Sequence, residues 1–359
     1  MRRAALECAQ RAVNAAGAGI DATQVRALSS AAAFSNFAST SSTGCDGFNA
    51  IVTRPPVARS TVAARQQSKR EASPRPLEGR TVSVKHNFLT SDMPSTAASR
   101  MLHNFQPHFD ATAVRLLRDA GGADIVGKTN CDEFGMGSAN VHSFYGSVLN
   151  PAAPATARSR ARARRVAGGS SGGAAAAARS GACDLALASD TGGSTRLPAS
   201  YCGVWGLKPS YGRISRWGLI AYADSLDTVG LLGASLDDVV AGYNVLDCVD
   251  GTRDPTAVPR AFRERASALV KERLDIIGRP GAPLAGLVIG VPQEYFPAEL
   301  SPAVTDVVRQ TLRKLKNAGA TLRSVSLPHT NRSLGAYYVL ASAEASSNLA
   351  RYDGVRYGK

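Results

Sequence analysis

Two glycine-framed serine stretches, 24 positions apart, constrain this chain more than any other feature. The first is GGSSGG, Gly168 to Gly173, and the second is SDTGGSTRLP, Ser189 to Pro198. Glycines on both sides let a serine hydroxyl stand exposed while neighbouring backbone N–H groups converge on one point. That geometry suits a nucleophile beside an oxyanion hole. One such stretch alone reads as a flexible loop. Two at this spacing, with the flanking residues present here, point to a built site. Upstream, Lys85 closes the short apolar run TVSVK. A lysine at a strand end can be aimed accurately, and burial can lower its pKa from about 10.4. A drop of about 3 units corresponds to roughly 4 kcal/mol of disfavoured charge, within reach of a packed core.

Two other motifs are false leads. GADIVGKT, Gly122 to Thr129, satisfies the phosphate-loop expression, which requires a strand, then a glycine loop, then a helix. Here a helix signal precedes the pattern, and its interior Asp124-Ile125-Val126 reads as a strand. A serine–histidine–aspartate triad fares no better. The histidines are His86, His103, His108, His142 and His329, and none sits in a motif that would present it to a serine. His86 is expected to be structural.

Regular alternation begins at Thr81. Strands are expected at TVSVK, ADIVGK, DLALAS, GLVIGVPQ and TLRSVSL. Helices are expected at ATAVRLLRDAGG, SGGAAAAARSG, SLDDVVAGYNVLDC, AVTDVVRQTLRKLKNAG and LGAYYVLASAEASSNLARY. Strands alternating with helices predict an α/β fold, a mixed central sheet covered by helices, in a single domain over 81–359. Residues 46–80, with Pro55, Pro56, Pro74 and Pro76, read as a linker. The first 45 residues carry only Glu7 and Asp21 as acids among many Ala, Ser and Arg, the composition of a mitochondrial transit region followed by a disordered leader.

The net charge of +14 invites a nucleic-acid reading, which its placement opposes. Residues 1–80 and the run RSRARARR, Arg158 to Arg165, hold eleven of those charges, outside the patterned segments. That run is expected to be a surface insertion. Six scattered cysteines form no CxxC or zinc spacing, so reduced thiols and an intracellular setting are expected, with no metal site. No apolar run is long enough to span a membrane.

GGSSGG through SDTGGSTRLPA resembles the amidase signature family. The resemblance implies the amidase-signature fold and a serine–cis-serine–lysine triad: Lys85 as base, Ser170 as the bridging serine and Ser194 as nucleophile. It also implies an oxyanion hole at the backbone of Thr191, Gly192, Gly193 and Ser194. GKTNCDEFGMGSAN, LKPSYGRISRWGLIAYADSLDTVG and ASAEASSNLARYDGVRYG narrow the likeness to the family's glutamine-hydrolysing members, which serve tRNA-dependent amidotransferases. The resemblance then implies a ligase complex, located in the mitochondrial matrix, in which this chain supplies ammonia from glutamine to convert Glu-tRNA(Gln) to Gln-tRNA(Gln). The amidotransferase's B subunit, as partner, would bind the nucleotide, ATP with Mg, and most of the tRNA, and a small third subunit would complete a heterotrimer. No cofactor is expected in this chain itself. Three departures stand out: His86 occupies a position where the family has Asp, Ala174 replaces a small polar residue, and the Arg-rich stretch before Gly168 is longer than the family's. The family's glutamine-holding segments are expected beyond Lys359. Alternatives are a free-standing amidase for small or fatty amides, or an inactive truncated subunit.

Overall fold

The computed structural model describes residues 47–56, 75–153, 165–274 and 277–356. The leader, most of the Arg-rich run and part of the 46–80 stretch lie outside the described residues.

The described residues gather into two compact units. Among the described residues, 47–258 and 340–356 form one and 259–339 the other. The first is built on a six-stranded mixed sheet in the order β1-β3-β2-β4-β6-β5. Its strands are β1 (Ile51–Thr53), β2 (Thr81–Lys85), β3 (Asp124–Thr129), β4 (Leu185–Asp190), β5 (Trp205–Leu207) and β6 (Thr228–Gly233). β2 runs parallel to both β3 and β4, and the other pairs are antiparallel. The expected mixed sheet is therefore present. β1, β5 and β6 are absent from the expected strands; β1 and β5 have only three residues each, too few to show alternation.

Period-two alternation gives the central strands two apolar faces. Val82, Val84, Leu185 and Leu187 pack with Val114 of α1 (Thr112–Arg115), with Leu117 just after it, and with Val239 and Leu246 of α4 (Leu236–Leu246). The last turn of the expected 111–122 helix is wound as a π-helical turn, Leu116–Ala120. Ala186 and Ala188 face α2 (Gly172–Ser180), whose Ala174–Ala178 run is fully buried. Alanine favours the helix and keeps its axis close to the sheet. Gly173 permits the approach: a Cβ there would lie 2.5 Å from the Asn130 carbonyl. Gly181, at φ +76°, ends the helix in the left-handed conformation. α4 starts where Ser235 caps it, its Oγ accepting from Asp237 N at 3.1 Å. α3 (Arg196–Cys202) follows the second glycine stretch.

The second unit holds α5 (Arg260–Leu274), then β7 (Val288–Pro292), α6 (Pro302–Asn317) and β8 (Thr321–Val325). β7 and β8 pair in parallel, with α6 as the crossover that parallel strands require. It has its own small core of Leu284, Ala318 and Ala320. This unit thus has a sheet and core of its own. α7 (Thr330–Leu349) returns the chain to the first unit. There Glu344 accepts from Ser225 N at 2.9 Å and Asn348 Nδ2 donates to Tyr222 O at 3.2 Å. Among the described residues no helix is long and apolar enough to cross a membrane.

Candidate active site

Parallel pairing of β2 with β3 and β4 brings the strand ends of Lys85 and Asp190 to one edge of the sheet. Lys85 is fully buried, and its Nζ donates to Ser170 Oγ at 2.8 Å and to Ser189 Oγ at 2.9 Å. Asn87 Nδ2 donates to the same Ser189 oxygen at 3.0 Å. Ser170 follows a cis Gly169–Ser170 peptide bond. The next residue ties the two glycine stretches together: Ser171 N donates to the Ser194 carbonyl at 3.1 Å, and Ser171 Oγ donates to the Ser189 carbonyl at 3.1 Å. Ser194 keeps 8% of its surface exposed, whereas Ser170 has none. The structure thus brings Lys85 to Ser170 and, through Ser171, ties Ser194 to the same turn; Lys85 and Ser170 are fully buried and Ser194 nearly so.

Burial lowers the Lys85 pKa from its ordinary value, and the charges of Asp132, Asp190 and Asp227 oppose that only in part. A neutral amine beside a hydroxyl can accept a proton. Cys131, pushed up to about 11 by burial, stays a thiol.

Two acidic residues shape the second stretch. Asp190 Oδ1 accepts from Gly193 N at 2.9 Å and Arg196 Nη2 at 2.9 Å. Its Oδ2 accepts from Thr195 N at 3.0 Å, Arg196 N at 3.3 Å and Arg196 Nε at 3.1 Å. Burial pushes its carboxyl upward, but Arg196 and the amides outweigh that and hold it below the ordinary value. Asp227 accepts from Thr191 Oγ1 at 2.6 Å and from Tyr222 N at 2.8 Å, and burial raises its pKa. The Gly193 amide is therefore committed to Asp190. Among the described residues no protein acceptor meets the N–H of Thr191, Gly192 or Ser194.

Asp132 shapes the first stretch, accepting from Asn140 N at 2.8 Å and His142 N at 3.1 Å. A Cβ on Gly169 would lie 2.2 Å from its Oδ2, so only glycine fits there. These contacts explain why GKTNCDEFGMGSAN, irregular in sequence, accompanies the serine loops. Sequence reasoning singles out none of Asn87, Asp132, Ser189, Asp190 or Asp227 for a task. Ser189 and Asp190 lie inside the quoted SDTGGS motif, and Asn87 follows TVSVK by two positions.

The two false leads resolve as expected. GADIVGKT contains strand β3, and its Gly127 makes room for the Thr53 carbonyl of β1, 2.5 Å from where a Cβ would stand. Lys128 is buried and donates to the Phe88 carbonyl at 2.5 Å, Ser95 Oγ at 2.9 Å and Thr90 Oγ1 at 3.0 Å. Burial brings it to about 7. His86 Nδ1 accepts from Thr96 N at 3.1 Å, and its Nε2 lies 3.0 Å from Thr53 Oγ1. Burial and the Lys128 charge hold it well below its ordinary pKa. Among the described residues, no group of three or more His, Cys, Asp or Glu is placed to hold a metal ion.

Comparison with known proteins agrees with this geometry. The profile of the family described as Amidase matches residues 46–359. The A subunit of the mitochondrial glutamyl-tRNA(Gln) amidotransferase of Mycosarcoma maydis is 46% identical over 335 residues, 92% of this chain and 61% of that protein. Its counterpart in Salinibacter ruber, the A subunit of a glutamyl-tRNA(Gln) amidotransferase, is 44% identical over 292 residues, covering 81% and 52%. The crystal structure of the same subunit from Thermotoga maritima superposes with a TM-score of 0.64 at 37% identity, over 76% of this chain and 55% of that one. The chain thus spans between half and two thirds of the length of these relatives.

Proposed function

Because the chain belongs to the amidase family, we propose that it is the glutamine-hydrolysing subunit of a tRNA-dependent amidotransferase, working by a Ser194–Ser170–Lys85 relay. One observation carries the reading: a fully buried lysine of lowered pKa sits 2.8 Å from the hydroxyl of a serine whose neighbour is bonded to Ser194. The names of the similar proteins supply the substrate class.

In the acylation step Ser194 Oγ attacks the side-chain carbonyl carbon of glutamine. Its proton passes to Ser170 Oγ as the Ser170 proton passes to Lys85 Nζ. The carbonyl π pair moves onto oxygen, where the free amides of Thr191, Gly192 and Ser194 can donate; each such donor is worth about 3 kcal/mol. The relay then runs backwards, protonating the leaving nitrogen as the C–N bond breaks. Ammonia departs, and a glutamyl ester remains on Ser194. Water, deprotonated through the same relay, releases glutamate. Ammonia would pass to the partner B subunit, which uses ATP and Mg to activate Glu-tRNA(Gln), with a small third subunit completing the complex in the mitochondrial matrix. Hydrolysis by this relay uses only side chains and backbone amides of this chain.

The test is glutamine hydrolysis by the full chain co-expressed with its partner subunits. Ser194→Ala should abolish it, and Lys85→Ala should lower kcat about 10²–10⁴-fold. Wild-type activity should fall as acid protonates Lys85. His86→Ala should spare kcat by comparison. A glutamine-like electrophile that labels Ser170 would sink the nucleophile assignment. Equal damage from His86→Ala and Lys85→Ala would sink the base. Glutamine-independent hydrolysis of simple amides without partners would favour a free-standing amidase.

A further inference from the structure

Lys85 Nζ has two side-chain oxygens within hydrogen-bond reach, Ser170 Oγ at 2.8 Å and Ser189 Oγ at 2.9 Å. The relay proposed above uses only one. Ser170 must give up a proton and take one in every half-reaction. Ser189 exchanges none, yet it is held at least as firmly. It is 5% exposed and pairs with Val229 in the middle of the sheet. Its carbonyl accepts from Ser171 Oγ at 3.1 Å, and its hydroxyl oxygen accepts from Asn87 Nδ2 at 3.0 Å.

Donor and acceptor counts give this arrangement a direction. A neutral amine has two N–H donors and one lone pair; an ammonium has three donors and none. When the relay delivers a proton to Nζ, the lone pair vanishes and each nearby oxygen must accept. An ammonium with unpaired protons is costly in a buried site, and a charge-assisted hydrogen bond offsets that cost. The Asn87 amide nitrogen can only donate. It fixes the Ser189 oxygen with its second acceptor position turned to Lys85. Ser189 thus favours the protonated lysine, the state that forms as Ser194 attacks.

We infer that Ser189, held by Asn87, is a positioning residue that anchors the Lys85 ammonium as it forms. The inference rests on Lys85 being the base, as proposed above, and the experiment separates the two. The full chain is reacted with an alkyl fluorophosphonate, and Ser194 labelling is followed by mass spectrometry across pH. Wild type, Lys85→Ala, Ser189→Ala and Ser189→Thr are compared. Ser189→Ala should label about 10-fold or more slowly at the plateau, the loss of one hydrogen bond to a charged group. Its acid limb should move to lower pH, since the ammonium has lost an acceptor. Ser189→Thr keeps the hydroxyl and should restore both rate and limb. A slower plateau with an unmoved limb would reveal only a packing defect and would overturn the inference. So would wild-type behaviour of Ser189→Ala where Lys85→Ala is inert. Wild-type labelling of Lys85→Ala would overturn the base assignment and the role of Ser189 with it. Should Ser189→Ala lose its cooperative thermal transition, Ser189→Cys, similar in size but a weak acceptor, carries the same prediction.

Discussion

Replacing Asp190 by asparagine isolates what one buried carboxylate contributes to the nucleophile turn. Asp190 is fully buried and accepts five hydrogen bonds. An amide can keep only one side of them. The better orientation leaves its oxygen facing Thr195 N, Arg196 N and Arg196 Nε. Its NH₂ then confronts Gly193 N and Arg196 Nη2, donor against donor. The Gly193 amide loses its acceptor, which costs about 1–3 kcal/mol. The Arg196 side chain is 54% exposed, so solvent screening limits its share to about 0–1 kcal/mol. Together, Asp190→Asn should destabilise the protein by about 1–4 kcal/mol. Urea unfolding followed by tryptophan fluorescence reports this directly. The chain has two tryptophans, Trp205 and Trp217, both in the unit that carries the site. Released from Asp190, the Gly193 peptide is free to rotate and displace Ser194. A displacement of about 1 Å can cost 10²-fold in kcat. Removing a negative charge near Lys85 should also move the acid limb of the activity profile to lower pH, because that charge raises the Lys85 pKa. A loss below about 1 kcal/mol with unchanged kcat/KM would refute the claim that Asp190 organises the turn.

Two further predictions concern the rest of the chain. Lys128, near 7 in the fold, binds its proton more weakly than the same lysine in the unfolded chain. The unfolded state therefore holds more protons from pH 7 upward to the ordinary lysine value. Lys128 should accordingly add about 1.4 kcal/mol of stability per pH unit across that window, on top of what Lys85 contributes. In Lys128→Met the slope from urea unfolding at pH 7, 8 and 9 should flatten to what Lys85 contributes, and an unchanged slope would exclude the buried-lysine account. Residues 1–45, fused to a fluorescent reporter, should carry it into mitochondria; a diffuse cytosolic signal would count against the transit reading.

Much of this protein is legible in the order of its residues. Local rules place β2, β3, β4, α2 and α4, because alternation, an alanine run, a serine cap and glycine stops act within a few positions. Ser170 and Ser194 stand out too, because each follows a pair of glycines in a glycine-rich stretch. Tertiary structure alone decides which polar residues are taken out of water. Lys85 and Ser189 lie 104 positions apart, and Thr191 and Asp227 lie 36 apart. In sequence each is one polar residue among many, and a solvated face is the ordinary reading. Strand order brings them together: β2 between β3 and β4 places Lys85 beneath the GGSSGG turn, and β4 beside β6 sets Asp227 near Thr191. The same long-range pairing makes an edge strand of Ile51–Thr53 and gives 259–339 a sheet and core of its own. A side chain's pKa and hydrogen-bond partners depend on what surrounds it in three dimensions, so Lys85 is visible in sequence as a lysine, but only its burial in the fold lowers its pKa.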